Sequence, residues 1–102
     1  MIAIEIPKER LREFCRKWKV TEFALFGSVT RPEEFRADSD VDVLVRFADD
    51  ARWTLLHVYH MEEDLKQIFG RDVDLADFDG VEQSPNAIRR DMILSSAVPL
   101  EI

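Results

Sequence analysis

The chain has 102 residues, 46% hydrophobic and 34% charged, the proportions of one small globular domain spanning residues 1–102. Its 21 acidic and 14 basic residues give a net charge of −7, which argues against direct nucleic-acid binding through phosphate contacts and favours a basic protein partner or a chelated cation. Cys15 is the only cysteine, which excludes an internal disulfide or a cysteine zinc cluster; no stretch approaches the roughly 18 apolar residues of a membrane span, no signal-peptide pattern appears, and a cytoplasmic protein is expected.

Pro7 suits the first turn of a helix. Leu11, Phe14, Cys15 and Trp18 then recur at i, i+3, i+4 and i+7, which predicts a short amphipathic helix ending near Lys17–Trp18. Val20–Ser28, "VTEFALFGS", is too short and too uniformly apolar for a surface helix and reads as a central strand ending at Gly27. Residues 29–38 are polar, contain Pro32, and form a loop or a single helical turn. Residues 39–47 alternate as a strand, with Val41, Val43 and Val45 on one face and Asp40, Asp42 and Leu44 on the other.

From Arg52 to Phe69 the period returns to that of a helix. Leu55, Val58, Met61, Leu65 and Phe69 form the expected buried stripe, and His57, His60, Asp64 and Gln67 are expected to face water. Gly70 stops that helix. Arg71–Phe78 alternates again as a third strand. Ser84 and Pro85 look like the cap and first residue of a last helix running to about Ala97, and "VPLEI" adds a candidate edge strand. The expected order is α-β-β-α-β-α with an optional final strand: an α/β (α+β) fold, a small mixed sheet with helices packed against it.

The aspartates carry the chemistry. Asp40 and Asp42, two residues apart on a strand, project from one face about 6.5–7 Å apart. Asp74 holds the same kind of position on the third strand, between Val73 and Leu75. If that strand lies beside the second, three carboxylates converge and raise one another's pKa values. A pair of Mg²⁺ ions, which prefer carboxylate oxygens together with phosphate, resolves that conflict and supplies a catalytic role. The plainer alternative is that strand aspartates face solvent on an open sheet. Gly27-Ser28 upstream weighs against it, because a Gly-Ser at a strand end lets backbone N–H groups approach an anion and adds a hydroxyl donor.

"GSVTR…DSDVDVLV" followed by "DVDL" resembles the minimal nucleotidyltransferases of the DNA polymerase β superfamily. Gly27, Ser28, Arg31, Ser39, Asp40, Asp42 and Asp74 match that pattern position by position, and the order and length of elements agree over nearly the whole chain. Two features depart from it: Pro32 stands where a small residue is common after the arginine, and Phe35 makes the loop bulkier.

The resemblance implies a polymerase-β-like nucleotidyltransferase fold and an Mg²⁺-dependent transfer from a nucleoside triphosphate. Asp40 and Asp42 would hold two Mg²⁺ ions, and Asp74 would share one and help deprotonate the attacking hydroxyl. Gly27 and Ser28 would cradle the phosphates, with Arg31 adding positive charge and Ser39 completing the nucleotide-binding set. Many members of this family are antitoxins encoded beside an all-helical HEPN ribonuclease toxin, and some transfer AMP from ATP to a tyrosine hydroxyl of that toxin. The expected partners are therefore ATP and a HEPN toxin, in a hetero-oligomer. A non-catalytic antitoxin that masks its partner by stoichiometric binding is the alternative. Transfer to a small molecule ranks lower, because such relatives carry an extra acceptor domain.

Other features have bland readings. Arg52, His57 and Tyr59 fit the R-x4-H-x-Y pattern of HEPN toxins themselves, but a HEPN domain is all helical and this chain's middle is strand. His57 and His60 could ligate a metal, yet no third ligand is evident. Trp18 and Trp53 read as core or interface anchors, and Cys15 as a small hydrophobe. Arg89-Arg90 reads as a solvated face, with contact to a nucleotide or partner as the alternative.

Overall fold

The computed structural model describes residues 2–102. Helix α1 (Lys8–Trp18) leads into strand β1 (Val20–Phe26) and a 3₁₀ turn (Gly27–Thr30), then β2 (Val41–Phe47) and α2 (Leu55–Phe69). Strand β3 (Val73–Asp77), a five-residue helix α3 (Phe78–Glu82), helix α4 (Ala87–Ser96) and a two-residue strand β4 (Val98–Pro99) complete the chain. The expected order therefore holds, with one helix added.

The four strands form a mixed sheet in the order β3-β2-β1-β4. β1 and β2 run antiparallel, with Leu25 opposite Val43 and Phe26 opposite Asp42. The α2 crossover makes β3 parallel to β2, which sets Val41 beside Val73 and Asp42 beside Asp74.

Both faces of the sheet are covered. Val41, Val43 and Val45 pack with Leu11, Phe14 and Trp18 of α1 and with Met61 and Leu65 of α2. On the other face Ala24, Phe26 and Leu44 form a smaller core with Ile93 of α4 and the partly buried Phe78 and Val81 of α3. Strands buried on both sides read as apolar runs, and β1 does so for that reason. Arg46 fastens α3 to the sheet, pairing with Glu22 at 3.0 Å, Asp79 at 2.8 Å and Glu82 at 3.1 Å.

Three expectations need correction. The helical period extends back to Arg52, but α2 begins at Leu55 because Thr54 caps it: the Thr54 hydroxyl accepts from the His57 N–H, and His57 Nδ1 accepts from the Thr54 N–H. The first turn is uncovered, so Leu55 is 88% exposed, whereas Met61 and Leu65 are fully buried. His57 and Asp64 do not face water as expected. The His57 ring packs on Trp18 and Trp53, and Asp64 accepts from the Trp18 indole at 3.0 Å and from Lys17 at 3.0 Å. They lie on the side of α2 that meets α1, where the polar side chain finds an indole N–H to accept.

The last helix is capped by Asn86, whose side chain accepts from the Arg89 N–H at 3.1 Å, rather than by Ser84. Ser84 closes the preceding helix instead, donating its own N–H to Val81 O.

Candidate active site

The two central strands deliver the site. Phe26 ends β1 in an extended conformation, and Gly27 then turns the chain with φ +72°, a left-handed value that favours glycine. The 3₁₀ turn that follows is closed by Arg31 N–H to Ser28 O at 2.9 Å and by the Thr30 hydroxyl to Gly27 O at 2.6 Å. Val29 anchors it in the core, and its carbonyl accepts from the Ala3 N–H at 2.8 Å. Gly27 is also needed for space. A Cβ there would overlap Asp42 Oδ2 and stand 3.2 Å from Cγ.

Asp42 is partly buried and directly beside Asp74 in the parallel register, so the two side chains leave the same face of the sheet. Asp40 precedes β2 by one residue and, like Asp74, is exposed. Burial pushes the Asp42 carboxyl up from 3.8 to about 6, with the charges of Asp74 and then Asp40 adding to it and those of Arg31 and Arg89 opposing it. The structure thus brings Gly27, Arg31, Asp40 and Asp74 around the Asp42 carboxylate. Ser28 lies in the adjoining turn.

Ser39 has a different visible role. Its hydroxyl accepts from the Arg36 N–H at 2.9 Å and so closes the end of the loop. That loop is held from outside by Arg71, which donates to Arg36 O at 3.2 Å and Ser39 O at 3.1 Å and lies over the Phe35 ring at 4.5 Å. Phe35 in turn packs against the core, so the bulk that sets this loop apart serves as its anchor. Arg31 forms an ion pair with Glu34 across the same loop.

Arg71 carries no local signal in the sequence, and Arg89 belongs to the arginine pair that reads as a solvated face, with nucleotide or partner contact as the alternative. Arg89 comes to Asp42 because α4 packs on the same sheet face and touches both β1 and the Gly27–Thr30 turn.

The donor set fits a hard cation. Among the described residues no three His, Cys, Asp or Glu side chains close into a preformed metal cage. Mg²⁺ does not need one, since it keeps several waters and is commonly held by one or two carboxylates with substrate phosphate. A carboxylate whose charge is opposed by burial and by two neighbours gains from such an ion. The R-x4-H-x-Y residues form no comparable cluster: Arg52 binds the carbonyls of Asp49 and Ala51, His57 caps α2, and the Tyr59 hydroxyl donates to Glu63.

A glycine turn at the end of one strand thus faces aspartates paired on the next two. The chain belongs to the nucleotidyltransferase domain family, whose model matches residues 8–98. A Methanocaldococcus jannaschii protein assigned as a protein adenylyltransferase is 32% identical over 71 residues, covering 70% of this chain and 79% of that protein. A solved structure described as a minimal nucleotidyltransferase is 32% identical with a TM-score of 0.68, covering 91% of this chain and 88% of its own. The same fold occurs in a toxin–antitoxin complex with AMP-PNP, at 21% identity and a TM-score of 0.70, covering 94% of this chain and 73% of that one. No helix among the described residues is long and apolar enough to cross a membrane.

Proposed function

We propose that residues 1–102 act as one nucleotidyltransferase domain that moves AMP from ATP to a tyrosine hydroxyl of a HEPN-type toxin, and so serve as its antitoxin in the cytoplasm, where ATP is supplied. The observation that carries this reading is the register pairing of Asp42 with Asp74 against the Gly27 turn. The relative assigned as a protein adenylyltransferase and the toxin–antitoxin structure with AMP-PNP support the choice of nucleotide and partner.

Asp40 and Asp42 would hold two Mg²⁺ ions, with Asp74 sharing one of them. Bound there, the ions would supply positive charge to the phosphates and to the oxygens that gain charge during transfer. The protein's own groups do the rest. Gly27 and Ser28 present backbone N–H groups and a hydroxyl to the phosphates, with Ser39 completing the nucleotide seat. Arg31 adds positive charge beside Asp42. Asp74, exposed at the rim, accepts the proton of the incoming hydroxyl. The hydroxyl oxygen bonds to the α-phosphorus as the bond to pyrophosphate breaks, which leaves AMP esterified to the acceptor.

The test is label transfer from α-³²P-ATP to the purified toxin, read together with protection of RNA. Catalysis predicts labelling that requires a divalent ion and protection at sub-stoichiometric amounts that persists after the two proteins are separated. Protection only at one-to-one stoichiometry, indifferent to ATP and lost on separation, would establish masking instead.

A further inference from the structure

Helix α4 turns only part of its surface to the sheet. Ile93 is buried against Ala24, Phe26 and Leu44, whereas Ile88 and Met92 are 77% and 66% exposed. Those two residues are four apart, so they form one apolar stripe on the outer side of the helix. The fold leaves both of these large apolar side chains in solvent, where a partner surface can cover them.

Its position gives it an occupant. Asp42 and Asp74 leave the same sheet face that α4 covers, since Leu44 and Ala76, the next residues on that face, pack in the core beneath α4. Arg89, adjacent to Ile88, is close enough to Asp42 to favour its charge. Helix α4 also touches the Gly27–Thr30 turn, so the stripe rides on an element that forms the rim of the carboxylates. A protein acceptor must cover that rim to bring a hydroxyl to the α-phosphorus; a small acceptor would not reach beyond it.

A second exposed patch, Leu55, Leu56 and Tyr59, starts α2 beyond the opposite end of β2, whose last residue Phe47 is about 17 Å along the strand from Asp42. Contact there leaves the carboxylates uncovered.

We infer that Ile88 and Met92 form the docking stripe for the acceptor protein, positioning its hydroxyl over Asp42 and Asp74. This inference rests on the proposed transfer to a toxin and identifies the surface that selects it. The stripe's apolar side chains meet an apolar patch beside the acceptor tyrosine, so selectivity lies in the folded acceptor rather than in the tyrosine alone.

The experiment compares wild type with Ile88→Asp/Met92→Ser and, as a control, Leu55→Ser/Leu56→Ser. All four positions are exposed, so the fold persists, and the melting shift with Mg²⁺ and a non-hydrolysable ATP analogue verifies an intact nucleotide site. Two quantities are read with the purified HEPN toxin: its binding affinity, and the KM and kcat for AMP transfer. The expected result is a KM and a dissociation constant raised at least tenfold in the α4 variant, with kcat, the nucleotide-dependent melting shift and the α2 control unchanged. An α4 variant with wild-type KM and affinity overturns the docking stripe, as does loss confined to the α2 control. Wild type that binds the toxin through α4 but transfers no AMP overturns the transfer reading and leaves the surface in place.

Discussion

Gly27 and Asp42 occupy adjoining space at the ends of neighbouring strands, so closely that a Cβ on Gly27 would fall on Asp42 Oδ2. The glycine is thus fixed twice, by its φ of +72° and by the carboxylate. Gly27→Ala should lower stability by about 1–3 kcal/mol, from the left-handed backbone and the displaced side chain together. It should also cut transfer at least ~10²-fold, because the turn and Asp42 move apart. Thermal melts and label transfer measure both. An alanine variant with unchanged melting would show that the turn relaxes freely and sets nothing in the site.

Charge at Asp42 and Asp40 should be indispensable. Asp40→Asn or Asp42→Asn is expected to reduce transfer by ~10³-fold or more, since each removes negative charge where a cation is to be held. Asp42→Asn should also lose most of the melting shift that Mg²⁺ and nucleotide give the wild type. Label transfer by either variant near the wild-type rate would mean that the site lies elsewhere.

The raised Asp42 carboxyl gives a signed pH dependence. Unfolded, this group titrates near 3.8; folded, burial and then Asp74 and Asp40 move it to about 6. Between those values the folded chain binds more protons than the unfolded chain, so this group's contribution is full below about pH 4 and is lost as pH rises through 6. The group is partly open to solvent, which reduces the expected loss to about 1 kcal/mol. In EDTA, Asp42→Asn should therefore match wild type near pH 4 and exceed it by about that amount at pH 7.5. Parallel stability curves for the two proteins would remove burial as the source of the shift.

Cys15 should be slow to react. Burial pushes its thiol from 9.0 up to about 11, so its thiolate is about 100-fold scarcer at pH 8 than that of a free cysteine. Iodoacetamide should modify it at least ~10²-fold faster in urea than in buffer. Comparable rates in the two conditions would place the thiol in an open environment.

Arg71 should govern the loop that precedes the aspartates. Arg71→Ala removes both carbonyl contacts and the cover over Phe35, at a cost of about 1 kcal/mol. Amide exchange of residues 36–40 should accelerate, and the KM for ATP should rise more than kcat falls. Unchanged exchange across those residues would assign the loop's order to Phe35 alone.

The parts of this site that are legible in sequence obey local rules. Alternation on β2 and β3 places Asp42 and Asp74 on a common face, and the Gly27 turn follows from an apolar run that stops at Gly-Ser. Arg71 and Arg89 were not legible, because each acts across a long stretch of chain on a group that packing brings near. Helix boundaries failed where two local signals competed. Ser84-Pro85 has the chemistry of a cap, but the Ser84 hydroxyl accepts from the Asn86 N–H, and Asn86 takes the role. The expected water face of α2 failed similarly, since periodicity cannot foresee an indole N–H waiting for Asp64.

The α2 crossover that makes β2 and β3 neighbours also sets when the site can exist. During synthesis, Asp40 and Asp42 leave the ribosome well before Asp74, with all of α2 still to come. A stalled or clipped chain ending in α2 carries two of the three carboxylates and lacks the strand that aligns Asp74 with them. On the proposed function it lacks part of the nucleotide seat, so ATP would not stabilise it. Only the finished sheet gains ligand stabilisation, so occupancy of the site marks copies that have completed folding.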